Sequence, residues 1–269
     1  LMAADDRAVP TATNAIPYYL ALRKAGIPVA MHIYPSGGHG FGFRSTFRWH
    51  EQMLNELSAW LKQLERPKAG ALKVACIGNS ITDGFGIDMA DVDGYPAQLQ
   101  QLLGRDYYVR NFGVSGRTML NHGNLPYMKE RAWKEAQTFS PDIAIIKLGT
   151  NDSKNINWDT YAKEFPRDYQ QMIDALRALP SKPRILLCTP IASMKTAVSE
   201  KWLIRDSIVT EAIIPAIQKI AKKNKLQLLD LHPVVNMDKK DMQADGIHPT
   251  SQGAKKIAEK VKEAILKEQ

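Results

Sequence analysis

Leu72-Lys73-Val74-Ala75-Cys76-Ile77-Gly78-Asn79-Ser80-Ile81-Thr82-Asp83-Gly84-Phe85-Gly86 is the stretch whose reading decides how this chain folds. Leu72 to Ile77 is a short apolar run that stops at Gly78. A serine follows two residues later, ahead of an aspartate and further glycines, the pattern of a buried strand breaking into a loop. Loops at the carboxyl ends of strands line the ligand crevice of open α/β sheets, and their backbone N–H groups are free to hold an oxyanion. Ser80 is therefore the candidate nucleophile. A Gly-x-Ser turn alone is most often only a turn, so the reading depends on the rest of the chain.

Four further apolar runs have the length and β-branched content of parallel strands: Tyr107 to Phe112, Asp142 to Leu148, Arg184 to Thr189 and Leu226 to Leu231. Helical patterns separate them over Tyr95 to Leu103, Tyr161 to Leu179 and Asp206 to Lys223, and a last helix is predicted from Ser251 to Lys267. This alternation predicts an α/β fold with helices on both faces of a parallel sheet. Ser80, Gly113 and Asn151 each follow one of the first three strands, which gathers them at one sheet edge. Asp245 and His248 stand three apart before the final helix, which Pro249-Thr250-Ser251 is placed to start and cap. A carboxylate at that spacing reaches one imidazole nitrogen in a tight turn, leaving the other to take a serine proton. His32, His50 and His232 lack such a companion and are expected to be simply exposed.

Four blocks, Gly78-Asn79-Ser80, Asn111-Phe112-Gly113-Val114-Ser115-Gly116, Gly149-Thr150-Asn151-Asp152 and Asp245-Gly246-Ile247-His248-Pro249, together resemble the SGNH (GDSL-type) hydrolases, and among them the carbohydrate acetylesterases, over residues 72–269. The first block reads Gly-Asp-Ser in most members; Asn79 departs from that form at a position the triad does not use. The resemblance implies a flavodoxin-like three-layer α/β/α fold whose five-stranded parallel sheet has the order 2-1-3-4-5. It implies a triad of Ser80, Asp245 and His248 and two-step acyl transfer. It further implies an oxyanion hole from the N–H groups of Ser80 and Gly113 and the side-chain amide of Asn151, with no cofactor and no metal. A periplasmic or secreted location is also implied. Under the family's strand order Cys76 and Cys188 lie on strands separated by another. Neighbouring strands are about 4.8 Å apart, so this exceeds disulfide reach and two buried free thiols are expected.

The chain has 269 residues, 44% hydrophobic and 24% charged, enough for one full domain and a smaller unit. No run approaches the roughly 20 apolar residues of a membrane helix, so no membrane insertion is expected. The net charge is +8. Its basic residues are spread at helical spacing, as in Lys219 to Lys225 and Lys255 to Lys267, which reads as solvated helix faces and not as a nucleic-acid surface. The histidines and acids show no zinc-type ligand spacing.

Residues 1–66 read as strand (Leu1 to Ala4), helix (Thr13 to Lys24), strand (Val29 to Tyr34), glycine-rich loop and a helix from Phe47 to Leu64. That helix carries Trp49, Met53, Leu57, Trp60 and Leu64 on one stripe. Residues 67–71 read as a linker and 72–269 as the SGNH domain. Asp6-Arg7-Ala8-Val9-Pro10, followed by Gly37-Gly38-His39-Gly40-Phe41, resembles the C-terminal end of an α/β-hydrolase of the acetylxylan esterase or dienelactone hydrolase type. There the matching Asp and His are triad members following a serine. No serine precedes Asp6, so Asp6 and His39 are expected to be inactive in a remnant of a longer two-esterase polypeptide. A two-strand unit leaves sheet edges open, which predicts packing against the second domain or a homo-oligomer formed through this segment.

Loops after the second, third and fourth strands carry Tyr127, Asn155, Trp158 and Trp202, aromatic faces mixed with amides and suited to a sugar ring. These four are the candidate substrate-binding residues, against the simpler reading that the tryptophans cap helix ends or fill the rim. No long apolar channel is evident, which favours a short acyl group. The expected function is a serine esterase removing acetyl groups from carbohydrate of xylan or sialate type. The alternatives are a thioesterase or lysophospholipase of the same fold, and a non-catalytic glycan-binding protein, for which the intact five-residue set has no use.

Overall fold

The computed structural model describes residues 1–27, 29–64, 67–235, 238 and 240–267. The chain divides into two compact units, Leu1–Glu65 and Arg66–Gln269.

In the first unit β1 (Met2–Ala3) pairs in parallel with β2 (Ile33–Tyr34), and helices span Ala15–Lys24 and His50–Leu64. The strand, helix, strand, loop, helix order is as expected. The strands are shorter because only Ala3 and Tyr34 find cover. Tyr34, Phe47 and Met53 form a small core with Phe41 and Trp49 packed against it. The second helix presents Met53, Leu57 and Trp60 on its less exposed side, Trp49 stands in the turn just ahead of it, and the Leu64 side chain lies outside the described residues. No residue of helix Ala15–Lys24 is buried. His39 Nδ1 lies 3.1 Å from Asp6 Oδ2, and the same carboxylate accepts the N–H groups of Ala8 and Val9.

The second unit holds β3 (Leu72–Gly78), β4 (Tyr107–Gly113), β5 (Ile143–Lys147), β6 (Arg184–Cys188) and β7 (Gln227–Leu229), all parallel in the order β4-β3-β5-β6-β7. Pleating sends Ala75, Ile77, Ala144 and Ile146 to one face. There they meet helices Arg131–Phe139, Phe165–Arg177 and Ile214–Asn224 through Trp133, Tyr169, Met172, Ile173 and Ile217. Val74, Cys76, Ile143 and Ile145 face the opposite layer, where helices Tyr95–Leu103 and Ser251–Leu266 supply Leu99, Ile257, Ala258 and Val261. The result is the three-layer α/β/α arrangement.

Two helices depart from expectation, each at a proline. The pattern over Tyr161 to Leu179 begins at the last residue of a separate helix, Asn155–Tyr161, crosses a 3₁₀ turn at Ala162–Glu164, and is a helix only over Phe165–Arg177, with Pro166 in its first turn. Within Asp206 to Lys223 the residues Val209–Ile213 form a π-turn immediately before Pro215. Proline there has no N–H to continue the ladder and its ring crowds the carbonyl four residues back, so the helix widens. Residues 67–71 are not a free tether: Lys68 donates its N–H to Arg105 O and its ammonium to Asp106.

Cys76 and Cys188 are buried free thiols on strands separated by β5, and burial pushes both pKa values up, the Cys188 thiol to about 12. The three histidines expected in solvent are instead partly buried. His32 Nδ1 pairs with Glu56 at 3.0 Å, His50 starts a helix, and His232 lies 3.7 Å from Asp206. Imidazole is amphipathic and packs wherever a ring face is covered, which a loop assignment does not reveal. No helix among the described residues is long and apolar enough to cross a membrane.

Candidate active site

β3 ends at Gly78, in register with Gly113 of β4 and Lys147 of β5, so three loops leave the sheet at one level. The loop after β3 turns at once into a one-turn helix, Ser80–Asp83. Asn79 is its N-cap and accepts the Ile81 N–H on Oδ1 at 3.2 Å, the task an aspartate would perform there. That physical role explains why the departure at position 79 is compatible with the fold.

Ser80 Oγ lies 2.8 Å from His248 Nε2, and His248 Nδ1 lies 2.6 Å from Asp245 Oδ2. The other carboxylate oxygen of Asp245 accepts the N–H groups of Ile247 and His248 at 2.9 and 3.0 Å. Nδ1–H donating to the carboxylate leaves Nε2 as the acceptor for the serine hydroxyl. Burial raises the Asp245 carboxyl, but the His248 imidazole and the two backbone donors outweigh it, and the net shift is downward. The turn is braced from outside: Met194 N–H donates to Gly246 O and Thr196 Oγ1 to Asp245 O, each at 2.7 Å. Thr250 then caps the helix Ser251–Leu266, as the sequence predicts.

The triad opens into a pocket of about 270 Å³ that includes Ser80, Phe85, Gly116, Asn151, Trp202 and His248 in its wall. Phe85 and Trp202 meet edge to face at 5.8 Å, and their rings lie 4.7 and 5.8 Å from the His248 ring. Lys154 and Ile204 also line it. Phe85, Gly116, Lys154 and Ile204 are additions to the sequence reading. Phe85 stands close to Ser80 in the opening stretch and Gly116 inside the second block, and these were the available signals.

Gly113 requires a correction. Its N–H donates to Asn111 Oδ1 at 2.8 Å, and it does not line the pocket. A Cβ at this position would stand 2.2 Å from Asp83 N and 2.6 Å from Thr82 C, so glycine is needed for the close approach of β4 to the helix bearing Ser80. Gly116, and not Gly113, lines the pocket together with Ser80. It turns at φ +81°, and among the described residues its N–H has no hydrogen-bond acceptor. Asn151 is buried in the pocket wall, with Nδ2 donating one hydrogen to Arg117 O at 3.2 Å.

The four candidate substrate contacts separate. Trp202 stands in the pocket, and Asn155 lines a neighbouring groove. Tyr127 is fully buried with its hydroxyl donating to Phe112 O at 2.5 Å, and Trp158 packs edge to face on Phe165 at 5.4 Å. Neither can reach a ligand in the pocket. The loop carrying Tyr127 folds back because two buried carboxylates hold it. Asp152 accepts the N–H groups of Met119 and Leu120 at 3.0 and 2.8 Å, and Asp168 accepts that of Asn121 at 2.7 Å. Among the described residues no cluster of three His, Cys, Asp or Glu is placed to hold a metal ion.

Asp152 yields a stability prediction. Burial pushes its carboxyl up to about 6 despite the two N–H donors, so the folded chain takes up this proton more readily than the unfolded one. Its contribution is therefore full below the ordinary carboxylate value and declines as pH rises through about 6. Asp152→Ala strands two buried N–H groups and is expected to cost about 2–5 kcal/mol at pH 5, and less at pH 7. Urea unfolding at both pH values checks this; an equal or larger loss at pH 7 contradicts it.

Residues 76–256 match the GDSL-like lipase/acylhydrolase family. An acetylxylan esterase from Xylanibacter ruminicola is 52% identical over 98% of this chain, which spans 58% of that relative's length. A multidomain esterase from Ruminococcus flavefaciens is 27% identical over 70% of the chain, corresponding to 28% of that protein. Among solved structures, a carbohydrate acetylesterase family member from Sinorhizobium meliloti superposes with a TM-score of 0.56 at 20% identity, covering 72% of this chain and 97% of its own. That likeness shows the same fold. With the family match running over more than half of its length and through all four blocks, the chain belongs to the GDSL-like lipase/acylhydrolase family.

Proposed function

We propose that this chain is a serine esterase that removes acetyl groups from carbohydrate. The observation that carries the reading is the continuous hydrogen-bonded line Ser80, His248, Asp245 opening into a small pocket beside two aromatic rings. As Ser80 Oγ attacks the ester carbonyl, its proton passes to His248 Nε2, and Asp245 holds the imidazolium that forms. The carbonyl oxygen becomes an oxyanion between the N–H groups of Ser80 and Gly116 and the free Nδ2 hydrogen of Asn151. Collapse breaks the bond to the sugar oxygen, which leaves with the proton from Nε2. Water then repeats the sequence on the acyl-enzyme. The pocket's size and the wall made by Phe85 and Trp202 favour acetyl over long acyl chains, and the name of the Xylanibacter ruminicola relative supports an acetylated glycan. Because the chain spans only part of that relative, the substrate is assigned to this chain as a proposal. A polymeric glycan is met outside the cytoplasm, which supports a periplasmic or secreted location.

Hydrolysis of p-nitrophenyl acetate, butyrate and octanoate tests the reading. The value of kcat/KM is expected to fall by about tenfold or more from acetate to octanoate, because the longer chain outgrows the pocket of about 270 Å³ and the groove beside it is lined by ion pairs. A preference for octanoate supports a thioesterase or lysophospholipase instead, and glycan binding without turnover of any ester supports a non-catalytic protein. Asn151→Ala is expected to lower kcat about a hundredfold to a thousandfold with little change in KM, the mark of a donor used in the transition state.

The first unit is proposed as the C-terminal end of an α/β-hydrolase domain. Its parallel strand pair, its Asp6–His39 contact and the helix Ala15–Lys24 with no buried residue support a piece of a larger α/β layer. Open edges of this kind favour self-association through the segment, which sedimentation of the chain with and without residues 1–65 would test.

A further inference from the structure

A second hollow, of about 700 Å³, lies next to the catalytic pocket, and Ile204 lines both. Its wall comes from the loops after β5 and β6, so it shares the sheet edge on which the triad stands. Leu203 forms part of the wall in a left-handed conformation at φ +60°, which a leucine rarely adopts. That twist lets Trp202 line the catalytic pocket while Leu203, 46% exposed, lines the groove.

The charges in this groove are settled among themselves. Lys195 Nζ lies 3.1 Å from Glu200 Oε1, and Arg205 Nη2 lies 2.6 Å from Asp159 Oδ1. Asp206 accepts the Ser193 N–H at 2.7 Å and its hydroxyl at 3.1 Å. Among the described lining residues both cations are paired with acids, and one acid is in excess. Lys154 lines the catalytic pocket and not this groove.

Resting on the esterase reading above, we propose that this groove is the subsite for the sugar chain bearing the acetyl group, and that it takes an uncharged polyhydroxy chain in preference to a uronate- or sialate-bearing one. Sugar hydroxyls both donate and accept, so they satisfy carboxylate oxygens, the Asn155 amide and the serine hydroxyls without requiring an unpaired charge. A ligand carboxylate meets an excess acid and no unpaired cation, and must break an existing ion pair to be neutralised. The continuity through Ile204 places chain residues beyond the acetylated sugar where their binding energy can assist turnover.

The test compares acetylated xylo-oligosaccharides of two and six sugars, an acetylated oligosaccharide carrying glucuronic acid, O-acetylated sialic acid and p-nitrophenyl acetate. Calorimetric titration with unacetylated xylohexaose runs alongside. For the wild-type chain kcat/KM is expected to rise about tenfold from two sugars to six and to drop about tenfold for the acid-bearing ligands, each equivalent to about 1.4 kcal/mol. Ser207→Trp, which fills the groove from an exposed position, is expected to abolish the length dependence and the xylohexaose titration. Glu200→Gln releases Lys195 and is expected to narrow the discrimination against the glucuronate-bearing ligand by about threefold. Flat length dependence together with no xylohexaose binding, or equal turnover of neutral and acid-bearing ligands, overturns the proposal. Absence of any ester hydrolysis with xylohexaose still bound in the groove overturns the esterase reading and leaves the subsite standing.

Discussion

Ser80→Ala is expected to lower kcat on p-nitrophenyl acetate by about 10⁴- to 10⁶-fold, with KM nearly unchanged. The side chain is small, it fills no part of the hydrophobic clusters on either sheet face, and its neighbours Asn79 and Ile81 keep the one-turn helix capped. Thermal unfolding of the variant should therefore match the wild type within a few degrees, which separates loss of chemistry from loss of fold. What remains after the change is the pocket, the proposed Gly116 and Asn151 donors, and a histidine able to activate water, which is why the residual rate is not zero. A variant retaining more than a few per cent of activity would place the chemistry elsewhere, with the Asp6–His39 contact of the first unit as the next candidate. His39→Ala in the Ser80→Ala background would then decide it.

Asp245→Asn is expected to lower kcat by about 10⁴-fold at neutral pH. The amide is isosteric, so the turn from Asp245 to His248 survives, yet the place of Oδ2 beside Nδ1 is taken either by the NH2 group, a donor, or by the amide oxygen, a weaker acceptor. The imidazole is then free to carry its proton on Nε2, the nitrogen that must accept from Ser80 Oγ, and the imidazolium formed on attack loses its countercharge. The sign of the pH effect follows from the lowered Asp245 pKa. A depressed folded-state carboxyl adds stability above its unfolded value, and the stability is lost as pH falls through the folded value. The wild type should accordingly lose stability relative to Asp245→Asn on acidification below the ordinary carboxylate range. Denaturant unfolding from pH 7 down to pH 3 reads this directly, and a difference that stays constant with pH would show that the carboxylate is not held by its partners.

The strands were legible because a doubly covered parallel sheet needs unbroken apolar runs, as in Leu72 to Ile77, Asp142 to Leu148 and Arg184 to Thr189. The partners of Ser80 were legible for a different reason: Asp245 and His248 are only three residues apart, so their contact is a property of one turn. Helix ends were less so. Pro166 and Pro215 lie inside apolar patterns of helical period, and the pattern shows the buried face without showing that the ladder of hydrogen bonds is interrupted.

Position 113 shows where reading along the chain reaches its end. Gly113 and Gly116 belong to one block three residues apart, and either glycine permits close backbone approach. Which glycine lines the pocket with Ser80 is set by the left-handed turn at Gly116, while Asn111 accepts the N–H of Gly113 where β4 packs against the Ser80 helix. Tyr127 and Trp158 read as ligand contacts along the chain because their loops leave the sheet at the crevice edge. Asp152 and Asp168, distant in sequence, fold the Tyr127 loop inward. The sequence alone determined the strands, whose unbroken apolar runs suit a doubly covered sheet, and the Asp245–His248 turn, whose contact is short-range; Ser80 as their partner and two unpaired cysteines follow from the resemblance to the SGNH hydrolases and its strand order. The meeting of Gly116 and Asn151 in the pocket wall, the aromatic wall of Phe85 and Trp202 and the ion-paired groove were decided by tertiary structure, because each joins residues that only the packed sheet brings within contact.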